Sequence, residues 1–329
     1  MTMSEYAVSF HRTGGPEVLQ YEAVVVGNPG PGEVRVRHHA IGLNFIDIYY
    51  RSGLYATPLP GALGLEAAGV VEAVGEGVTG LAVGDRVAYA TGPLGAYSTA
   101  RCMPADRLVP LPPEIGFDTA AALMLKGLTA HYLLRRTCHV EPGDMVLIHA
   151  AAGGVGLIAC QWARALGATV IGTVSTPEKA ALAAAHGCEH VLTGVSPAAQ
   201  PARVRDITGG RGVRVVYDSI GRDTFMASLD CLAPLGTMVS YGNASGPVAP
   251  FEPALLAQKG SLFLTRPTLF HYVAQRADLV AASDELFARV LDGTLRINVA
   301  QRHALADCAR AHEALAGRRT AGSTVLLPA

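Results

Sequence analysis

The sequence predicts an α/β protein in which a doubly wound parallel sheet follows a turn-rich β domain. A short apolar run at residues 146–148 is interrupted by Gly153, Gly154 and Gly156, after which residues 157–166 continue with helical spacing. Such a run is typical of a strand buried on both faces of a parallel sheet. Farther along, the pattern alternates between strand, helix and strand at residues 169–174, 177–186 and 213–219. This alternation predicts the doubly wound sheet.

The glycines after the first apolar run match a dinucleotide-binding fingerprint. Ala151, Gly153 and Gly156 stand at its three glycine positions, so alanine replaces the first glycine. Gly153 still allows phosphate oxygens to approach backbone N–H groups at a helix N-terminus, where the helix dipole favours negative charge. The alternative is a glycine-rich turn without a cofactor, because the motif alone is weak. The alternation downstream favours the dinucleotide site.

Residues 1–127 are predicted to form a small, barrel-like β domain. Residues 33–39 alternate apolar and polar side chains, as in a half-buried strand. Further strands are predicted at 69–74 and 85–90, with glycine turns between them. An alanine- and leucine-rich helix at 118–134 then leads into the nucleotide-binding domain.

The nucleotide-binding domain is predicted at residues 128–268, with late strands at 236–241 and 261–265. The segment 269–329 contains predicted helices and an apolar strand at residues 278–292, 306–316 and 324–327. We expect this segment to close back on the first domain, so that 1–127 and 269–329 form one domain.

The composition argues against several classes of protein. Half of the residues are apolar, 16% are charged and the formal net charge is −1. These values argue against disorder and against a general affinity for nucleic acid. Four arginines form either a local basic patch or, as we expect, a solvated surface: Arg203, Arg205, Arg211 and Arg214.

Neither a secretory signal nor a membrane span is expected. The first residues lack the basic segment followed by an apolar segment that marks a secretory signal. The longest apolar run, 145–160, is interrupted by His149 and three glycines and so does not suit a membrane span. The six cysteines are scattered without close spacing. This predicts reduced thiols, no cysteine metal cluster and a cytoplasmic location.

The end of the second predicted nucleotide-domain strand favours NADPH over NADH. A site that prefers NADH usually places Asp or Glu about twenty residues beyond the glycines. Here residues 172–175 are Gly-Thr-Val-Ser, and Lys179 follows in the first turn of the next helix. An ammonium group there can pair with a 2′-phosphate. The alternative is that Lys179 is an ordinary exposed lysine.

Eight short motifs together resemble one family. They are GGPEVL at 14–19, GLNFID at 42–47, RSGLY at 51–55, GLEAAG at 64–69, KGLTA at 126–130, AAAGGVG at 150–156, VYDSIG at 216–221 and TRP at 265–267. In order and spacing, over nearly the whole chain, they resemble the bacterial NADPH:quinone oxidoreductases. These are relatives of zeta-crystallin in the medium-chain dehydrogenase/reductase superfamily.

The resemblance implies a fold and an assembly. The family has a GroES-like catalytic domain split around a Rossmann domain, with the cofactor in the cleft. Its members usually dimerise through the last Rossmann strand, residues 261–265 here. Phe263 and Leu264 on an open sheet edge are consistent with such a homodimer.

The resemblance also implies that no catalytic zinc is present. Related zinc-dependent alcohol dehydrogenases hold their metal partly with a cysteine and a histidine, and Asn44 and Leu65 stand at those places. Neither is a good zinc ligand, and Glu66 alone does not make a site. The four-cysteine lobe for structural zinc is also missing. Without a Lewis acid, alcohol oxidation is disfavoured, whereas reduction of an electrophilic quinone remains feasible.

The resemblance places the cofactor contacts as follows. Asn44 is expected near the nicotinamide ribose and Thr129 near the nicotinamide or its phosphate. The pyrophosphate is assigned to Gly153, Gly154 and Val155; the 2′-phosphate to Thr173, Ser175 and Lys179; the cofactor's edge to Ser219, Tyr241 and Gly242; and the carboxamide to Phe263, Leu264 and Thr265. Arg318 resembles a family arginine that reaches the cofactor. Gly194 stands where relatives often carry a tyrosine that binds the 2′-phosphate, which predicts a weakened NADPH preference.

On the substrate side, Tyr49 and Tyr55 resemble family tyrosines that position the substrate; packed surface aromatics are the alternative. Asp47 is expected either to support Tyr49 or, more often for such a residue, to cap a turn. His149 is expected to be a buried histidine with satisfied hydrogen bonds, and not a general acid. The predicted reaction is direct hydride transfer to a bound quinone, with a solvent proton and without flavin.

Two other functions stay open. The same cofactor and a similar pocket serve reduction of the carbon–carbon double bond of enones or 2-alkenals. Alternatively, the chain is a structural or RNA-binding protein that holds NADPH with little turnover, because a cofactor motif shows binding more directly than catalysis. Salt-sensitive RNA binding that requires the four arginines would support the RNA-binding role. We expect no RNA binding strong enough to be functional.

Overall fold

The computed structural model describes residues 4–328, which form two compact units. Unit 1 comprises residues up to 128 together with 273–291 and 297–328, and unit 2 comprises 129–272 and 292–296. The first boundary falls inside one helix, Phe117–Tyr132. Within the described range, no helix is both long and apolar enough to cross a bilayer.

Unit 1 is built mainly from strands. Its elements are β1 (Glu5–Phe10), β2 (Gln20–Val24), β3 (Glu33–Leu43), α1 (Phe45–Ser52), β4 (Gly61–Ala62), β5 (Ala67–Val74), β6 (Arg86–Tyr89), β7 (Ala100–Pro104), β8 (Val109–Pro110), α2 (Phe117–Tyr132), α9 (Arg276–Leu291), β15 (Val299–Ala304), α10 (Cys308–Ala316) and β16 (Ser323–Leu327). One sheet has the order β2-β1-β4, and a larger one has β15-β16-β3-β5-β6-β8 with β7 beside β3. Antiparallel pairing dominates, and apolar side chains from both sheets form the core.

Unit 2 has the strand order of a dinucleotide-binding fold. Its elements are β9 (Met145–Ile148), α3 (Gly154–Ala165), β10 (Thr169–Val174), α4 (Pro177–Ala185), β11 (His190–Thr193), α5 (Gln200–Ile207), β12 (Val213–Asp218), α6 (Phe225–Cys231), β13 (Leu232–Ser240), α7 (Ala254–Gln258), β14 (Phe263–Thr265) and α8 (Leu269–Tyr272). The parallel sheet runs β11-β10-β9-β12-β13-β14. Strands that follow β9 are added first on one side of it (β10, β11) and then on the other (β12, β13, β14), so the order reverses at β9. The carboxyl ends of β9, β10 and β12 therefore form the crevice where such sheets bind ligands. The α/β class with a Rossmann sheet is confirmed.

Several boundaries differ from the sequence prediction. The strand predicted at 261–265 pairs only over Phe263–Thr265, because Ser261 has a φ of 55° and turns the chain before the ladder begins. The helix predicted at 118–134 ends as an α-helix at Tyr132 and continues as a π-helical turn, Leu133–Thr137. β1, β2 and β11 were not predicted as strands from their patterns. Their partners lie elsewhere in the chain and decide their conformation.

Candidate functional site

The turn between β9 and α3 presents an open helix N-terminus. Gly153 is the N-cap of α3, and no side chain within the described residues caps this helix. The free N–H groups of its first turn therefore suit an anion such as a pyrophosphate. A Cβ on Gly156 would lie 2.3 Å from the carbonyl oxygen of Ala150, so the helix approaches the strand too closely for a side chain. Ala150 has a φ of 51°, in the left-handed region that non-glycine residues rarely adopt. The strained backbone conformation of this turn therefore lies one residue before Ala151, the first position of the fingerprint.

The next residues of the predicted cofactor site follow strands at the same edge of the sheet. Ser219 follows β12, and the N–H of Ala244 donates to its carbonyl oxygen over 3.1 Å. Tyr241 and Gly242 follow β13, and a Cβ on Gly242 would lie 2.5 Å from the oxygen of Ser219. Ser219 and Gly242 are therefore neighbours in space, and this contact requires glycine at 242.

The residues predicted to bind a 2′-phosphate lie beyond β10. Ser175 is exposed, Lys179 is half-buried on α4, and Thr176 caps that helix by accepting from the backbone N–H of Lys179 over 3.3 Å. No acidic side chain stands between the end of β10 and Pro177. Gly194, with a φ of 64°, is exposed at the end of β11. The structure thus brings Ser175 and Lys179 to one surface without an aromatic side chain at 194.

Beneath this surface lies a buried polar network that the motifs do not reveal. His149 is 1% exposed, and its Nδ1 and Nε2 lie 3.0 Å from Thr173 Oγ1 and 2.9 Å from Ser228 Oγ. Asp218, fully buried, accepts through Oδ2 from the hydroxyls of Ser228 and Thr224 at 2.8 and 2.7 Å. Both ring nitrogens of His149 are therefore occupied, in agreement with the prediction that it is a satisfied core histidine.

In unit 1, α1 carries the predicted substrate-side residues. Asn44 is its N-cap, and Asp47 Oδ2 accepts from the backbone N–H of Asn44 over 2.8 Å, so Asp47 acts as a capping residue. Tyr49 is 8% exposed and Tyr55 half-buried. Their rings meet edge to face with centroids 5.2 Å apart, and the N–H of Tyr55 donates to the carbonyl of Tyr49 over 3.0 Å. The two tyrosines therefore form one aromatic pair.

An ion pair lies among the residues that the family resemblance aligns with the dehydrogenase zinc site. Glu66 is fully buried, and its Oε2 accepts from Asn44 Nδ2 at 2.7 Å and from Lys126 Nζ at 3.1 Å. Its Oε1 accepts from the backbone N–H of Leu125 at 2.7 Å. Leu65, also buried, offers no donor atom. The ammonium group of Lys126 and the side-chain amide of Asn44 therefore both donate hydrogen bonds to the Glu66 carboxylate. Within residues 4–328, no group of three metal-binding side chains converges. This donor set does not fit zinc.

A second buried chain links α1 with α10. Arg51 Nη1 lies 3.2 Å from His312 Nδ1, and His312 Nε2 lies 3.0 Å from Tyr97 Oη. The hydroxyl of Tyr97 donates to Asp47 Oδ2 over 3.0 Å. Burial lowers the pKa of His312 to about 3, so its neutral ring can accept from Arg51 and donate to Tyr97. Burial raises the pKa of Asp47 to about 7.

The other predicted cofactor residues differ in their exposure. Thr129 is buried on α2, and Leu264 and Thr265 are half-buried on β14. Phe263 is 60% exposed on the same edge strand. Arg318 is exposed after α10 with a φ of 56°.

The four arginines considered as a basic patch do not all face solvent freely. Arg205 donates to the carbonyl of Gly210 over 2.8 Å, and Arg211 to that of Thr208 over 3.2 Å. Arg214 pairs with Asp144. Three of the guanidinium groups therefore hold backbone segments together at the amino ends of the parallel strands, the end opposite the β9–α3 turn.

Comparison with known proteins places the chain among oxidoreductases. The family described as "Alcohol dehydrogenase GroES-like domain" matches residues 30–113, and the family described as "Zinc-binding dehydrogenase" matches residues 154–285. The chain is 58% identical to a quinone oxidoreductase of Pseudomonas aeruginosa, over 98% of this chain and 99% of the relative. It is 51% identical to a 2-haloacrylate reductase of a Burkholderia species, over 98% of each.

A solved structure agrees with these similarities. The quinone oxidoreductase of Escherichia coli, complexed with NADPH, has a TM-score of 0.96 to this structure at 50% identity, over 98% of this chain and 100% of that one.

Proposed function

Because the chain belongs to the quinone oxidoreductase family of the medium-chain dehydrogenase/reductase superfamily, we propose that it is an NADPH-dependent quinone reductase that needs no metal ion. The observation that carries the proposal is the uncapped N-terminus of α3, together with the end of β10, where an NADH site would carry an acidic residue and this chain has none, and with Lys179 in the first turn of α4. A helix start with free N–H groups and a nearby ammonium fits a dinucleotide with a third phosphate.

The residues of unit 2 bind and orient the cofactor. Gly153, Gly154 and Val155 hold the pyrophosphate, and Ser175 and Lys179 hold the 2′-phosphate. Ser219, Tyr241 and Gly242 line the cofactor's edge, while backbone groups of β14 orient the carboxamide. NADPH, when bound, supplies the hydride that reduces the substrate.

Tyr49 and Tyr55 position the quinone by aromatic contact. A quinone takes up the hydride and one solvent proton and leaves as the hydroquinone, so no side chain has to act as a general acid. The buried, fully hydrogen-bonded His149 agrees with this assignment. Glu66, paired with Lys126, accepts a hydrogen bond from Asn44 and so fixes the Asn44 side chain, which stands where zinc-dependent relatives carry a metal ligand.

A second candidate is reduction of an activated carbon–carbon double bond. A relative of 51% identity is named 2-haloacrylate reductase, so an alkene reductase lies within the same range of similarity. Binding of NADPH without turnover, in a structural or RNA-binding role, is a third candidate. The backbone contacts of Arg205 and Arg211 make a free basic surface for RNA less favourable.

One experiment separates these candidates. Purified protein is mixed with NADPH or NADH, and a para-quinone, an ortho-quinone or a 2-alkenal is offered in parallel, with cofactor oxidation followed by absorbance. We expect quinone-dependent oxidation that is faster with NADPH. Turnover with the alkenal alone would assign double-bond reduction. Tight NADPH binding without any turnover would assign a binding role.

Lys179→Ala tests the cofactor assignment. Because a charge-assisted bond to phosphate is lost, the Kd for NADPH should rise roughly tenfold or more, while the Kd for NADH stays within about twofold. Lys259→Ala is the matched control, since Lys259 pairs with Asp230 in the same unit. An equal loss of both cofactors in Lys179→Ala would remove Lys179 from the 2′-phosphate site.

We further propose a homodimer formed through β14 and a cytoplasmic location. β14 ends the sheet order, and its Phe263 is 60% exposed, so this edge can pair with a second copy. The six cysteines are all free thiols, which suits a reducing compartment.

A further inference from the structure

Hydrogen bonds connect the core of unit 2 with the cofactor surface through Asp218, Ser228, His149 and Thr173. The successive distances are 2.8, 2.9 and 3.0 Å. Thr173 is half-buried and lies at the end of β10, whereas the other three side chains are buried. We refer to these four residues as the Asp218 relay. Its outer end is the Thr173 hydroxyl, two residues before Ser175.

The carboxylate of Asp218 sets the direction of the relay. Donors surround this side chain: the backbone N–H groups of Ile220 and Gly221 donate to Oδ1, and the hydroxyls of Thr224 and Ser228 donate to Oδ2. The single hydroxyl hydrogen of Ser228 therefore points to Asp218. Ser228 Oγ then has only an acceptor position left for His149 Nε2. The ring must therefore carry its hydrogen on Nε2.

Because His149 is neutral, the direction of the hydrogen bond at Ser228 also determines the direction of the hydrogen bond at Thr173. Burial lowers the pKa of His149 below its ordinary value, and Asp218, the charged group that faces it, opposes the shift. The neighbours from β10 and α6 are the hydroxyls of Thr173 and Ser228. A neutral imidazole with hydrogen on Nε2 accepts through Nδ1. The hydroxyl hydrogen of Thr173 is therefore committed to His149.

We propose that Thr173 faces the adenosine 2′-position of the bound dinucleotide and serves there only as a hydrogen-bond acceptor, so that it favours a ribose hydroxyl over a phosphate. A 2′-hydroxyl can donate to the free lone pair of Thr173, whereas an ionised 2′-phosphate cannot. The inference rests on the proposed function, because it assumes a dinucleotide on this edge. It makes Ser175 and Lys179 the phosphate-binding residues, while Thr173 limits the preference for NADPH. His149 and Ser228 act as positioning residues.

Asp218→Asn should reverse the relay without changing its shape. The N–H groups of Ile220 and Gly221, at 2.7 and 3.1 Å from Asp218 Oδ1, would hold the amide oxygen. The amide nitrogen then faces Ser228 and donates to it. Ser228 donates to His149 Nε2, and the hydrogen of His149 moves to Nδ1. Thr173 accepts from His149, and its own hydrogen becomes available for a phosphate.

The test measures the position of the hydrogen on the His149 ring and the affinity for each dinucleotide. Nitrogen-15 NMR of the cofactor-free protein should show hydrogen on Nε2 of His149 in the wild type and on Nδ1 in Asp218→Asn. The Kd for NADPH should fall roughly tenfold in the variant, while that for NADH stays within about twofold. Thr224→Val is the control, since it removes the other hydroxyl on Oδ2, 2.7 Å away, without reversing the relay.

Several results would overturn the inference. These are hydrogen on Nδ1 in the wild type, or a reversed ring in Asp218→Asn with an unchanged ratio of the two Kd values. If Asp218→Asn does not fold, Thr173→Val replaces it: NADH affinity should fall several-fold and NADPH affinity should not, and equal changes would contradict the proposal. Wild-type protein that binds both dinucleotides but reduces no quinone would refute the proposed function alone, because these readouts need no turnover.

Discussion

Glu66 and Lys126 are two buried charges that depend on each other. Their side chains are 0% and 6% exposed and approach to 3.1 Å. Taking a charge out of water costs several kcal/mol unless a partner and further hydrogen bonds offset the cost. Asn44 and the backbone of Leu125 provide these additional bonds to Glu66. The pair therefore tolerates the loss of both charges better than the loss of one.

Lys126→Met should lower the free energy of unfolding by about 3 to 5 kcal/mol, because it leaves the carboxylate of Glu66 buried without a cation. Urea denaturation followed by circular dichroism measures the change. The double variant Glu66→Gln, Lys126→Met is the control and should recover part of the loss. A double variant as unstable as the sum of both single variants would show that the two side chains are not coupled.

At the scale of elements, a polar chain joins α1 to α10. A guanidinium at one end and a carboxyl group at the other are connected through His312 and Tyr97. Asp47 is fully buried, and its Oδ1 lacks a hydrogen-bond partner among the described residues. Burial is the main cause that raises its pKa to about 7. The contact between α1 and α10 should therefore respond to pH near neutrality.

Asp47→Asn should remove a pH dependence of stability. The folded pKa of Asp47, about 7, lies above its ordinary value of 3.8, so its contribution to stability is complete below pH 3.8 and falls as the pH rises from there to about 7. Relative to the variant, the wild type should lose about 2 to 3 kcal/mol between pH 5 and pH 8. Urea denaturation at both pH values measures this difference.

The control for this prediction is Asp206→Asn, which removes an exposed carboxylate on α5. Its difference from the wild type should not vary with pH to a comparable extent. If the difference between the wild type and Asp47→Asn is the same at pH 5 and pH 8, Asp47 does not exchange its proton in this range.

At the scale of the whole molecule, the exposed edge of the unit 2 sheet determines the proposed assembly. Phe263→Glu places a charge on β14 where a second copy would pair, so the protein should become monomeric. Light scattering coupled to size-exclusion chromatography measures the mass across a range of concentrations. Met226→Glu is the control, because Met226 is 49% exposed on α6, away from the edge strand. A wild type that is monomeric, or a Phe263→Glu variant that stays dimeric, would contradict the proposed interface.

Local patterns in the amino-acid sequence were enough to predict the fold class and the glycine-rich turn after β9, because both depend on residues that are close together in the chain. Strand and helix periodicity predicted β9, α3 and β10, and the glycines marked the turn where α3 closely approaches the chain before it. The resemblance of motifs supplied the family, which the comparisons confirm. The individual roles of the cofactor and substrate residues stay predictions.

The contacts between buried polar side chains, in contrast, follow from the three-dimensional packing of distant segments. Glu66 and Lys126 are 60 positions apart, and Tyr97 and His312 are 215 apart. No local period connects such residues, because their contact depends on sheet register and on the packing of helices against it. The direction of the Asp218 relay is a further example. It follows from the order in which Asp218, Ser228 and His149 touch, and burial excludes the water that would otherwise satisfy each group separately.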